Sequence, residues 1–169
     1  MGVHSLRPAL LVASVALVGF GWTGSSSASP LADGTALARA DLELQLILEI
    51  NRAREARGLA PLAADPLLGE LARQRSWELA TSGQLSHYGP DGSLRFVVLL
   101  DQRGVPYDVA GENLGWNVGP DAEGPRVAVE TWAASPAHAA NLFGARFSVA
   151  GLGAVSVDGR TYYTLLVTG

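Results

Sequence analysis

The stretch FSVAGLGAVSVDGRTYYTLLVTG, Phe147 to Gly169, holds two runs rich in Val, Leu, Thr and Tyr on either side of Asp158-Gly159. Residues of these types fit a pleated, half-buried surface, and an Asp-Gly pair between two such runs supplies the positive φ angles of a type I′ turn. The stretch is a β-hairpin. The periodic segments upstream of it have the spacing of helices. Helices followed by an antiparallel hairpin give an α+β domain, since a parallel α/β sheet would need strands and helices in alternation.

From about Ala36 to Arg57, Leu42, Leu46, Ile50 and Ala53 recur at intervals of three and four with charged residues between them, and Gly58 ends the pattern. This is an amphipathic helix. Asp65 and Pro66 have the chemistry of an N-cap and first helical position, and open a second helix that ends at Gly83. Its stripe of Leu68, Leu71, Ala72 and Leu79 is interrupted by Arg75, and Trp77 is read as a packing residue. LSHYGPDGS is a turn-rich loop, LRFVVLLDQRGVPY a third helix closed by Gly104, and DVAGENLGWNVGPDAEG an irregular, glycine-rich segment. A fourth helix is expected from about Pro125 to Ala134, followed by a short one beginning at Ser135.

The chain has 169 residues, no cysteine and no lysine. Its start, with Arg7, an apolar run from Ala9 to Trp22 and then a Gly/Ser stretch, has the form of a secretory signal peptide. The small residues Ser26 and Ala28 suit cleavage after Ala28. The expected organisation is a signal peptide over residues 1–28, a flexible linker over 29–40 and one domain over 41–169. Without cysteine, an exported domain stands on its core alone. The leader holds one of the 12 basic residues and none of the 16 acidic ones, which leaves 11 against 16, a net charge of −5. An acidic surface argues against nucleic acid or anionic lipid as partner. The apolar run is shorter than a spanning helix prefers, so no stable membrane insertion is expected after cleavage.

In SPAHAANLFG, Ser135 to Gly144, Ser135 can cap the short helix and Pro136 fits its first position. His138 then falls at N3, where the positive helix end offers an imidazolium no advantage. It is either a half-buried histidine with one hydrogen bond or a site residue. The chain has no HExxH, no GxSxG, no cysteine nucleophile and no P-loop, and GLGAVS lacks the third glycine of a dinucleotide-binding turn.

The segments ILEINRAREARGLAPLAADPLLGELARQRSWELATSGQLSH, AGENLG, VAVETWAASPAHAANLF and FSVAGLGAV, in this order, resemble the bacterial branch of the CAP superfamily. That superfamily includes the cysteine-rich secretory proteins, antigen 5 and the plant pathogenesis-related proteins, which carry an SCP domain. The resemblance covers about Leu46 to Val167 and implies an α-β-α sandwich with a small antiparallel sheet between helical layers. It also implies a central cavity lined by two histidines and two acids. The matching positions are His87, Glu112 and His138, with Glu130, Ser135, Trp132, Asn113 and Asn141 as further lining candidates. The place of the second acid, three residues after Trp132, holds Ser135. Glu130 is a doubtful substitute, because a two-residue step turns about 200° around a helix and points it away from Trp132.

Two imidazoles and a carboxylate can form a three-ligand site for a divalent metal, with Zn²⁺ as the expected ion and a fourth position open to water. Alternatively the carboxylate can pair with an imidazolium in a polar pocket. The expected function is that of a secreted, monomeric, non-catalytic binding domain whose cavity holds a metal, a small ligand or part of a cell-surface or protein partner. The alternative is a metal-assisted extracytoplasmic hydrolase acting on peptide or cell-wall material.

Overall fold

The computed structural model describes residues 10–13, 36–118 and 121–169. In chain order its elements are β1 (Leu10–Ala13), β2 (Leu37–Ala38), α1 (Ala40–Glu55), β3 (Ala63–Ala64), α2 (Pro66–Ser82), α3 (Arg95–Gln102), β4 (Val109–Val118), a 3-10 turn (Asp121–Glu123), α4 (Gly124–Ala134), α5 (Pro136–Phe143), β5 (Val149–Val157) and β6 (Arg160–Thr168). Most of the expected signal peptide and linker lies outside the described residues. The end of the linker segment is built into the sheet, however, because Leu37 and Ala38 pair with Ser156 and Val155.

The hairpin forms as read. β5 and β6 pair antiparallel, and Asp158 and Gly159 have φ angles of 47° and 74°, the two positive values that a type I′ turn requires. The segment read as irregular is corrected: Val109–Val118 is a ten-residue strand, paired antiparallel with β6 from Ala110 opposite Thr168 to Val118 opposite Arg160. The sheet order is β1-β4-β6-β5-β2, with β3 also on β5, and β1 runs parallel to β4.

β6 is buried on both faces, and its alternation divides the interior in two. Tyr163, Leu165 and Val167 pack with Leu42, Leu46 and Ile50 of α1, Val129 and Trp132 of α4, and Leu142 of α5. On the other face Leu166 joins Leu68, Leu71 and Ala72 of α2 and Phe96, Leu99 and Leu100 of α3, while Tyr162 packs with Leu79. The result is an α-β-α sandwich. Helix α2 lies very close to β5: a Cβ on Gly151 would sit 2.2 Å from the Leu68 backbone, and one on Gly153 2.2 Å from the Ala72 carbonyl oxygen. These glycines record a contact between layers.

Helix α2 begins as its sequence dictates, with the Asp65 side chain accepting from the Leu68 N–H and Gly83 closing the helix at φ 67°. One side chain departs from expectation. Trp77 is 52 % exposed and lines a shallow cleft with Ala36, Ala38 and Val155 instead of packing in the core. Arg54, four residues beyond Ile50 on the apolar stripe of α1, is fully buried. It donates to the carbonyls of Ala60, Leu142 and Phe147 and so ties the end of α1 to the end of α5.

Candidate functional site

Strand alternation directs Glu112 toward the α2 layer and its neighbour Asn113 toward α5. Glu112 is completely buried, and both carboxylate oxygens are engaged: Oε1 accepts from Arg75 Nε at 2.8 Å, and Oε2 lies 2.7 Å from His87 Nδ1. A carboxylate only accepts, so Nδ1 carries the hydrogen, and a neutral His87 then presents a lone pair at Nε2. Arg75 is fixed from three sides, with Nη1 donating to Glu78 at 2.8 Å and Nη2 to the Ser86 carbonyl at 2.6 Å. Ser86 immediately precedes His87, so the Arg75 guanidinium anchors both the carboxylate and the loop that carries the histidine. Arg95 completes the chain by donating Nε and Nη2 to Glu78, at 2.7 Å from Nη2.

On the other side of β4, Asn113 Nδ2 donates to the His138 carbonyl, and Asn141 Nδ2 donates to the Glu112 carbonyl and to Asn113 Oδ1. The two amides fix the first turns of α5 against the strand. Gly111 is required here, since a Cβ would fall 2.4 Å from Asn141 Oδ1. His138 is 2 % exposed, and neither ring nitrogen has a hydrogen-bond partner among the described residues; Asn141 Oδ1 is unpartnered as well. Burial first, and the neighbouring charge of His87 second, push the His138 pKa below the usual histidine value, so this ring favours the neutral, ligating form. Among the described residues no group of three or more His, Cys, Asp or Glu side chains is arranged to hold a metal ion.

The sequence model of the cysteine-rich secretory protein family, CAP, matches residues 47–168, most of the chain. The chain belongs to the CAP family. A curated relative, the uncharacterized protein YkwD of Bacillus subtilis, is 27 % identical over 113 residues, which are 67 % of this chain and 42 % of YkwD. An extracellular SCP-domain protein of Bacillus anthracis is similar in structure, with a TM-score of 0.64, 25 % identity and coverage of 76 % of this chain and 40 % of that one. An outer surface protein of Borrelia burgdorferi shares the fold, with a TM-score of 0.66 at 18 % identity, covering 80 % of this chain and 97 % of that one. This chain therefore spans about two fifths of the length of YkwD.

Of the three positions that the CAP resemblance matches, His87 and Glu112 are in direct contact, and the charge of His87 is the second cause, after burial, of the lowered His138 pKa. Glu130 does not line the site: it is 62 % exposed and pairs with Arg126 one turn away on α4. Ser135 occupies the N-cap position of α5 but makes no side-chain capping bond, contrary to expectation, and it makes none with His138 either. The backbone carbonyl of Ser135 accepts from Ala139 instead. Trp132 is a core side chain of α4, with Nε1 donating to the Leu114 carbonyl at 2.9 Å. Asn113 and Asn141 are at the site, in a supporting role. Arg75 is the residue the motif comparison misses. Its signal is in the sequence, as the one charged member of the α2 core stripe.

Proposed function

We propose that this CAP domain is an exported, non-catalytic binding domain that takes a divalent metal ion or a small ligand at His87 and His138. The observation that carries the reading is His138, a buried imidazole neither of whose nitrogens has a hydrogen-bond partner among the described residues. Leaving such groups unpaired costs about 1–3 kcal/mol, a cost that a bound ion or ligand removes. Imidazole is a common zinc ligand: neither His138 nitrogen has a hydrogen-bond partner among the described residues, and Glu112 holds the His87 ring through Nδ1, the usual support for a metal-binding histidine. Glu112, with both oxygens engaged, acts as this orienting group rather than as a third ligand. When bound, the ion would leave its remaining positions for water or a donor atom of a ligand. Export agrees with the leader-like first 28 residues and with relatives described as extracellular or outer-surface proteins.

Titration of the purified protein with zinc tests the reading. Binding should be modest, weaken as the pH falls below about 6.5 toward the lowered His138 value, and vanish in His138→Ala with the fold retained. Unchanged zinc binding in a destabilised His138→Ala would make His138 a packing residue and overturn the proposal.

A further inference from the structure

A cleft of about 580 Å³, within the roughly 300–1,000 Å³ typical of ligand pockets, opens along the end of α2 and is lined by Arg75, Glu78, Ser82, Gln84, Tyr88 and Arg95. Its wall carries two guanidiniums and is balanced by two carboxylates, because Glu78 accepts from Arg75 and Arg95 while Arg75 also donates to Glu112. A charged ligand of either sign gains little net Coulomb attraction there. Hydrogen-bonding capacity remains at the Gln84 amide, the Tyr88 hydroxyl and Arg95 Nη1, none of which takes part in the ion pairs that fix the wall.

The Tyr88 side chain is 48 % exposed, yet its backbone is held firmly. Tyr88 bridges to Leu94, Gly89 N donates to the Ser93 carbonyl at 2.9 Å, and Arg95 N donates to the His87 carbonyl at 2.9 Å. Inside this small loop Gly92 adopts φ 77° and Asp91 accepts from both the N–H and the hydroxyl of Ser93. An aromatic ring presented on a fixed backbone binds with little loss of conformational freedom. It offers an apolar face beside neutral, directional polar groups.

A sugar ring has the matching chemistry, with a C–H face to lie on the tyrosine and hydroxyls to pair with an amide and a guanidinium. We propose that this cleft is a subsite for a neutral oligosaccharide, with Tyr88 as its stacking platform. The proposal does not rest on metal binding at His87 and His138.

Calorimetric titration of the purified protein with chitotetraose, cellotetraose and maltotetraose, and with hexaglutamate as an anionic peptide, tests it. At least one sugar should bind saturably. Tyr88→Ala should weaken that binding about tenfold, the scale of one aromatic contact. Tyr88→Phe, which keeps the ring, should retain most of it, and Trp77→Ala and His138→Ala should leave it unchanged. The proposal is overturned if none of the sugars binds, if Tyr88→Phe loses binding as Tyr88→Ala does, if Tyr88→Ala has no effect, if His138→Ala abolishes binding, or if only hexaglutamate binds.

Discussion

Arg75 and Glu112 form an ion pair with almost no access to water, and such pairs are asymmetric in their energetics. The intact pair roughly balances its own desolvation, whereas removing one partner leaves the other buried and uncompensated. Arg75→Met should therefore destabilise the fold by about 3–5 kcal/mol in urea unfolding, while Arg126→Met, at an exposed pair, should change it by less than about 1 kcal/mol. Equal effects from the two would show that Glu112 is solvated. His138 gives a pH signature. Its unfolded form takes up a proton near pH 6.5, but the folded form holds it neutral to lower pH. Its contribution is full above about pH 6.5 and is lost as the pH falls from there toward the depressed folded value. With metal removed by a chelator, His138→Gln should flatten that acidic limb of the stability curve. An unaltered limb would mean that another group causes it. At this scale the sequence is partly legible. Arg54 and Arg75 both stand on apolar stripes, which marks them as buried, but nothing local tells which carbonyls or carboxylates receive them.

Between elements, the closest approach is that of α2 to β5. Gly153→Ala places a methyl group 2.2 Å from the Ala72 carbonyl oxygen, so either α2 or β5 must shift, and a cost of about 1–3 kcal/mol is expected in thermal or urea unfolding. A neutral Gly153→Ala would show that the layers are not in contact there. The helices are legible in the sequence because their ends carry local chemistry: Asp65-Pro66 and Gly83 bracket α2, and Gly58 follows α1 at φ 70°. β4 is not. Gly111, Gly115, Glu112, Asn113 and Asn117 are poor strand formers by propensity, and each is at home there only through a neighbour on another element. Gly111 makes room for Asn141 and Gly115 for the Trp132 ring, while Glu112, Asn113 and Asn117 bond to Arg75, His138 and Gly124. The candidate site sits on this strand. Its residues can be found by motif comparison, yet their element cannot be read from local pattern.

For the molecule as a whole, one sheet serves two cores. The α1, α4 and α5 layer and the α2 and α3 layer bury opposite faces of the same strands, and no disulfide is available to hold either layer if the other detaches. A single cooperative transition is expected, with far-UV circular dichroism and tryptophan fluorescence superimposing through urea unfolding. Trp132 reports on one layer and Trp116, partly buried against Leu79, Leu114 and Tyr162, on the other. Two resolved transitions would show that the layers unfold separately.

The position of β6, between β4 and β5 and covered on both faces, also gives the chain an internal clock. Its amide protons alternate between bonds to β4 and bonds to β5, so the full set trades with deuterium only when the strand loses both neighbours, an event that dissolves the sheet. Exchange at Tyr163 to Val167 should therefore be the slowest in the molecule and should proceed at the free energy of global unfolding, whereas amides of α3 open at lower cost. One mass-spectrometric peptide spanning that strand then reads the stability of any variant directly, with no denaturant and no label.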